Sequence, residues 1–113
     1  MIKIYHNNRC SKSRYGVELL EKSGKEYEII KYLENTPSTD ELKNTITLLG
    51  ISPIELVRKN ETIWKDNYKG KDLTEEEIIN AMIENPKLIE RPIVINGTKA
   101  VIGRPTEAIL EII

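Results

Sequence analysis

Residues 92–102 restrict the fold most tightly, because two short apolar runs, 92–95 and 99–102, stand on either side of Asn96-Gly97-Thr98. Asn-Gly readily takes the positive backbone angles of a tight turn, so this segment reads as a β-hairpin. The N-terminus supplies the sheet that the hairpin can complete. Residues 2–5 form a short apolar run, the polar turn His6-Asn7-Asn8-Arg9 follows, and Ser13, Val17 and Leu20 then recur at i, i+4 and i+7. That spacing predicts a helix over 11–22, stopped by Ser23-Gly24. A second strand follows over 27–32. A strand, helix and parallel strand in one sheet require a right-handed crossover. After the hairpin, Gly103-Arg104-Pro105-Thr106 opens a last helix with Ile109, Ile112 and Ile113 on its apolar side. At about two turns it would not survive alone in water, so it must dock on the sheet.

Between the second strand and the hairpin lie three helix starts with clear signatures. Ser38 with Glu41 makes a capping box ahead of Leu42, Ile46 and Leu49, and Gly50 ends that helix. Ser52-Pro53-Ile54-Glu55 announces a short helix through Val57. Thr74 with Glu77 repeats the box, with Ile78, Met82 and Ile83 facing inward and Pro86 closing the segment. Trp64, in the polar stretch 59–71, reads as a partly buried anchor under a mobile segment, and Tyr27, Tyr32 and Tyr68 as packing residues with wet hydroxyls. The expected class is α/β, a thioredoxin-like arrangement of strand, helix, strand, inserted helices, hairpin and terminal helix around a mixed sheet. With 113 residues and no repeat or linker, it is expected to form a single domain over 1–113.

Composition removes several function classes. Seventeen Lys and Arg are scattered among 18 Asp and Glu for a net charge of −1, so the clustered basic surface that nucleic-acid binding needs is missing. No stretch approaches the roughly 20 apolar residues of a membrane span, and the first residues lack a signal peptide's apolar run. A cytoplasmic protein is the expectation. One Cys and one His exclude both an internal disulfide and a four-ligand structural zinc site.

That one cysteine, Cys10, sits between the first strand and the first turn of the first helix. Unpaired backbone N–H groups and the helix dipole stabilise an anion there, and the hydroxyls of Ser11 and Ser13 are available to the sulfur. Such sites bring a thiol pKa from about 8.5 into roughly the 3.5–7.5 range. Polar neighbours from Asn7 to Arg14 argue for an exposed, electropositive turn rather than a buried small hydrophobe. Two readings of His6 stand open: it adds positive charge when protonated, or it caps the strand as a solvated imidazole.

Five separated segments extend the case: His6-Asn7-Asn8-Arg9-Cys10-Ser11-Lys12-Ser13-Arg14, Tyr32-Leu33-Glu34-Asn35, Leu56-Val57-Arg58-Lys59-Asn60, Glu90-Arg91-Pro92-Ile93-Val94 and Gly103-Arg104-Pro105. In this order and at these distances they resemble the glutaredoxin-dependent arsenate reductases over nearly the whole chain. The resemblance implies that Cys10 attacks arsenate, that glutathione attacks the thiol–arsenic adduct as co-substrate with no cofactor bound, and that glutaredoxin resolves the mixed species. It implies that Arg58, Arg91 and Arg104 hold the arsenic oxyanion, a task suited to guanidinium forks. It also implies that Pro92 is the cis-proline facing the cysteine, that His6 tunes the thiol, and that Ser13 places a hydroxyl near the sulfur. Independently, a chain with one thiol cannot close a disulfide cycle alone, so a second sulfur must come from outside.

The pattern is broken where Arg9 replaces a small apolar neighbour and where the chain ends at Ile113 without the extension of some members. Two other function classes remain open on sequence. One is a regulatory or adaptor protein on the same fold, like relatives that bind RNA polymerase, although Ser13 stands where their redox switch has its second cysteine. The other is a thiol oxidoreductase with a different substrate. Arg14 is placed either to assist the thiol or to pair with Glu18 one turn along the helix.

Overall fold

Alternating burial in the first residues explains strand β1, Ile2–Tyr5, where Ile2 and Ile4 are buried and Lys3 is exposed. The computed structural model describes residues Met1–Ile113, and the chain gathers into two compact units, Met1–Asn35 with Arg91–Ile113, and Thr36–Glu90.

The first unit holds the sheet. Helix α1, Ser11–Ser23, leads from β1 to β2, Tyr27–Ile30, and β3, Ile93–Asn96, with β4, Lys99–Ile102, forms the hairpin. The strand order is β2-β1-β3-β4. β1 runs parallel to β2, pairing Ile4 with Ile29, and antiparallel to β3, pairing Ile4 with Val94. This mixed sheet with its crossover helix and terminal hairpin is the thioredoxin-like arrangement. Gly24 ends α1 at φ 74°, and Gly97 turns the hairpin at φ 63°, conformations that cost glycine nothing.

The core of this unit is Ile2, Ile4, Leu20, Val94 and Ile109, with Val17, Leu19, Tyr27, Val101, Ile112 and Ile113 packed around it. Two glycines let the elements close up. A Cβ on Gly16 would meet Ile4, Pro92 and Ile109 at 3.2–3.3 Å, and one on Gly103 would stand 2.9 Å from Pro92 Cγ. The final segment, Thr106–Glu111, is a 3-10 helix rather than α-helix. Its end is tied to the sheet and to the turn after α1, because Asn96 Nδ2 donates to the Ile112 carbonyl at 2.7 Å and Lys25 Nζ donates to that of Ile113.

The second unit is helical: α2, Thr39–Leu49, a 3-10 turn Pro53–Leu56, α3, Thr62–Asn67, α4, Glu75–Glu84, and a 3-10 turn Pro86–Leu88. The capping boxes form as the spacing predicts. Glu41 N–H donates to Ser38 Oγ at 3.1 Å while Ser38 N–H donates to the Glu41 carboxylate at 3.0 Å, and Thr74 with Glu77 repeats the pattern at 3.2 and 2.9 Å. Glu55 likewise accepts from Ser52 N–H at 2.7 Å.

Three expectations need correcting. Residues 59–71 contain a real helix, α3, in which Trp64 is buried and stacks on Tyr68 with ring centroids 5.4 Å apart. Six residues carrying only Ile63 and Trp64 as apolar side chains are too few to display a helical period. In α4, Ile79 and Ala81 are buried alongside Ile78 and Met82, whereas Ile83 is half-buried; burial there is wider than a one-sided stripe. Tyr32 is fully buried rather than wet. The unit also contains an unforeseen backbone link, an antiparallel bridge between Val57 and Ile89, with Arg58 N–H donating to Leu88 O at 2.7 Å and Glu90 N–H to Leu56 O at 2.9 Å. No helix in the chain is long and apolar enough to cross a membrane.

Candidate active site

The loop from β1 to α1 is wound tightly enough to set Cys10 as the N-cap residue of α1. Cys10 N–H donates to Asn7 O at 3.0 Å, Arg9 N–H to Asn7 Oδ1 at 3.0 Å, and Arg14 N–H to Cys10 O at 3.0 Å. The Arg14 guanidinium braces the same loop by donating to Asn8 O at 3.0 Å, and Glu18 pairs instead with Lys22 at 3.3 Å. Arg14 therefore serves the loop rather than the helix face.

Cys10 is only 9% exposed, which corrects the expectation of an open turn. Its surroundings are nonetheless polar. Burial pushes the thiol pKa up, and four opposing influences together bring it below the ordinary value: the Ser13 backbone N–H, the Arg91 guanidinium, the Lys12 backbone N–H and the Arg104 guanidinium. Two of these are free N–H groups in the first turn of α1, as an N-terminal anion site requires. Arg104 Nη2 lies 3.7 Å from the sulfur, and its Nε donates to the Arg91 carbonyl at 2.7 Å. One arginine's backbone thus holds the other's side chain against the thiol.

The bonds Arg91–Pro92 and Arg104–Pro105 are both cis. Pro92 O accepts from Gly103 N–H at 2.8 Å, which joins the two arginine-bearing segments.

His6 and Ser13 contact each other in this loop. Ser13 Oγ lies 2.7 Å from His6 Nδ1 and accepts from Asn7 N–H at 3.0 Å, so this hydroxyl clamps the loop onto the helix while the residue's backbone N–H serves the sulfur. His6 is buried, and its pKa is lowered, first by that burial and also by Lys31 and Arg14, against a hydrogen bond at Ser13. The imidazole is therefore neutral at neutral pH, neither the added charge nor the solvated cap. A polar turn sequence cannot reveal this, since the covering residues come from elsewhere in the chain.

Arg58 lies in the second unit. Its Nη1 stands 3.3 Å from Glu61 Oε1 and donates to Lys87 O at 3.3 Å, and its Nε is 4.0 Å from Glu90 Oε1. Cys10, His6, Ser13, Arg91, Pro92 and Arg104 all belong to the first unit, and of these Ser13, Arg91 and Arg104 act on the sulfur. The residue that sequence reading passed over is Gly16. A glycine inside an otherwise regular helix was the available signal, since it costs about 1 kcal/mol against alanine and marks close approach.

A thiolate beside two guanidinium groups can attack an anionic centre, because the cations offset the repulsion between nucleophile and substrate. The electrostatics are directly measurable. The alkylation rate of Cys10 against pH is expected to rise with a midpoint below that of a free thiol, and Arg104→Ala is expected to move that midpoint upward. Coincident profiles would remove Arg104 from the sulfur's environment.

Comparison with known proteins finds relatives over nearly the whole chain. The profile of the ArsC family matches residues 5–112. An Escherichia coli protein named only as uncharacterized is 47% identical over 99% of this chain and 96% of its own length. The arsenate reductase of Haemophilus influenzae is 45% identical over 97% of both chains. Among solved structures, an arsenate reductase from Vibrio cholerae superposes with a TM-score of 0.94 at 44% identity, covering 99% of this chain and 97% of that one.

Proposed function

The chain belongs to the ArsC family, and from that membership we propose that it reduces arsenate to arsenite, with Cys10 as nucleophile and external thiols as reductant. The observation that carries this reading is the single thiol at the mouth of α1, its pKa lowered by two backbone N–H groups and by Arg91 and Arg104.

The steps follow from that arrangement. The Cys10 thiolate forms a bond to arsenic, and one arsenate oxygen leaves as water. Arg91 and Arg104 hold the remaining oxygens and neutralise their charge. The family resemblance assigns the same task to Arg58, whose guanidinium is at present engaged by Glu61 and Glu90. The thiol of glutathione then bonds to arsenic and expels a second water. A glutaredoxin thiol attacks the glutathione sulfur, forming a mixed disulfide and leaving two electrons on arsenic, which passes from the +5 to the +3 state. Water finally releases arsenite and restores the Cys10 thiol. The sum is arsenate and two external thiols giving arsenite, one disulfide and one water. Neutral His6 and Ser13 hold the loop in which the nucleophile sits. The reducing cytoplasm is the compartment where such a cycle can be sustained.

Purified protein incubated with arsenate, glutathione and glutaredoxin is expected to yield arsenite in proportion to time and enzyme, with each of the three components required. Arsenite formation no faster than without the protein would overturn the assignment. Full activity without glutaredoxin would remove that partner alone.

A further inference from the structure

Beside the loop that ends on Cys10 lies a cleft of about 300 Å³, at the lower end of small-molecule sites. His6, Asn7, Asn8 and Arg9 form one wall, and Lys31, Leu33 and Glu34 the other. All belong to the first unit. The walls are built on constrained backbone: Glu34 and Asn35 N–H groups donate to Lys31 O at 3.0 and 2.8 Å, His6 N–H donates to Ile30 O at 2.9 Å, and Tyr32 anchors the second wall by full burial.

The three charged side chains of this cleft are exposed, and none enters a salt bridge of the protein. They present two positive charges and one negative. The matching ligand carries two carboxylates and one ammonium. Two other cavities have a different character. A larger one of about 610 Å³ in the second unit sets Glu61, Asp66 and Glu84 against Lys87 alone, and would repel a dicarboxylate. One of about 400 Å³ pairs Glu18 with Lys22 and is otherwise lined by uncharged residues such as Tyr15 and Leu110. The cleft beside the Cys10 loop combines the right sign with the right place.

We propose that this cleft seats the external thiol, a small peptide with two carboxylates and one ammonium such as glutathione, with Arg9 and Lys31 holding the carboxylates and Glu34 the ammonium. The inference rests on the thiol-dependent reduction proposed above. The Asn7 and Asn8 amides face the ligand's peptide groups, and exposed Leu33 covers its methylene chain. Arg9 directly precedes Cys10 in sequence, so a ligand held there lies against the loop that carries the reacting sulfur. Arg9, which departs from the small apolar residue of the family pattern, thereby becomes a determinant of which thiol the protein accepts.

The test separates seating from turnover. S-methylglutathione has no free thiol, and its binding to the full chain can be followed by calorimetry without arsenate. The Arg9→Glu/Lys31→Glu double variant is expected to weaken that binding about tenfold or more, as loss and reversal of two exposed charge pairs allows. In turnover, the same variant is expected to lower kcat/KM for glutathione relative to that for uncharged 2-mercaptoethanol by a similar factor, and Glu34→Gln to do so less. Unchanged affinity in the double variant, or no binding by the native protein at millimolar probe, overturns the cleft even where arsenite production depends on glutathione. Binding that the double variant loses supports the cleft even where no arsenite is made, an outcome that defeats only the reductase reading.

Discussion

Cys10→Ser is expected to make no arsenite above background, a fall in kcat of about four orders of magnitude or more, as for loss of a nucleophile in other enzymes. A serine hydroxyl is protonated at neutral pH, and the N–H groups and guanidiniums that lower the thiol pKa cannot bring an alcohol within reach of ionisation. The structure also says what the variant should keep. Cys10 is the N-cap of α1, where the first-turn N–H groups act on the sulfur without forming a capping hydrogen bond, whereas serine is among the best N-caps and adds about 0.5–1 kcal/mol in that role. The inactive variant is therefore expected to resist urea at least as well as the native protein. Turnover above about one percent of native would show that another group forms the bond to arsenic, and a lowered urea midpoint would show that the sulfur has a packing role.

Ile109→Ala is expected to cost about 3 kcal/mol of unfolding free energy, near the middle of the range for emptying a buried isoleucine site. Ile109 has no exposed surface and belongs to the core of the first unit. Its side-chain carbons are among the atoms that a Cβ on Gly16 or Gly103 would meet, at 3.1–3.3 Å, so it holds the terminal 3-10 helix against both α1 and the segment that carries Arg104. A short 3-10 helix has little stability of its own, and the hollow left by truncation cannot refill from it. Against a total stability of about 5–15 kcal/mol, such a loss is plain in chemical denaturation. A change below about 1 kcal/mol would mean that the terminal segment simply settles into the space.

Local chemistry explains what could be read in advance. The Asn96-Gly97 turn, the Gly24 stop and the boxes at Ser38 and Thr74 each depend on neighbours within four residues, and each forms as spacing predicts. The fold class followed from their order. Features set by distant contacts were not legible: the bridge between Val57 and Ile89, and the burial of Trp64 and Tyr32. The site divides along the same line. That Cys10 caps a helix is a local fact, visible in sequence. That His6 is buried and neutral, that Ser13 serves the sulfur through its backbone, and that the Arg91 carbonyl steers Arg104 are all consequences of folding. The arginines were named through family resemblance, because nothing in their immediate neighbours sets them apart from solvated surface residues.

Strand β1 pairs with β2 over a short stretch of chain but with β3 only across ninety residues of sequence, and such distant pairings are late and slow to form. Arg91 and Arg104, from the far side of that gap, supply the cations at a sulfur placed tenth in the chain. During synthesis the thiol and the first-turn N–H groups beside it are thus made long before the two guanidiniums exist. The cationic share of that acidification, and with it the site's attraction for an anion, therefore arrives only with completion of the sheet.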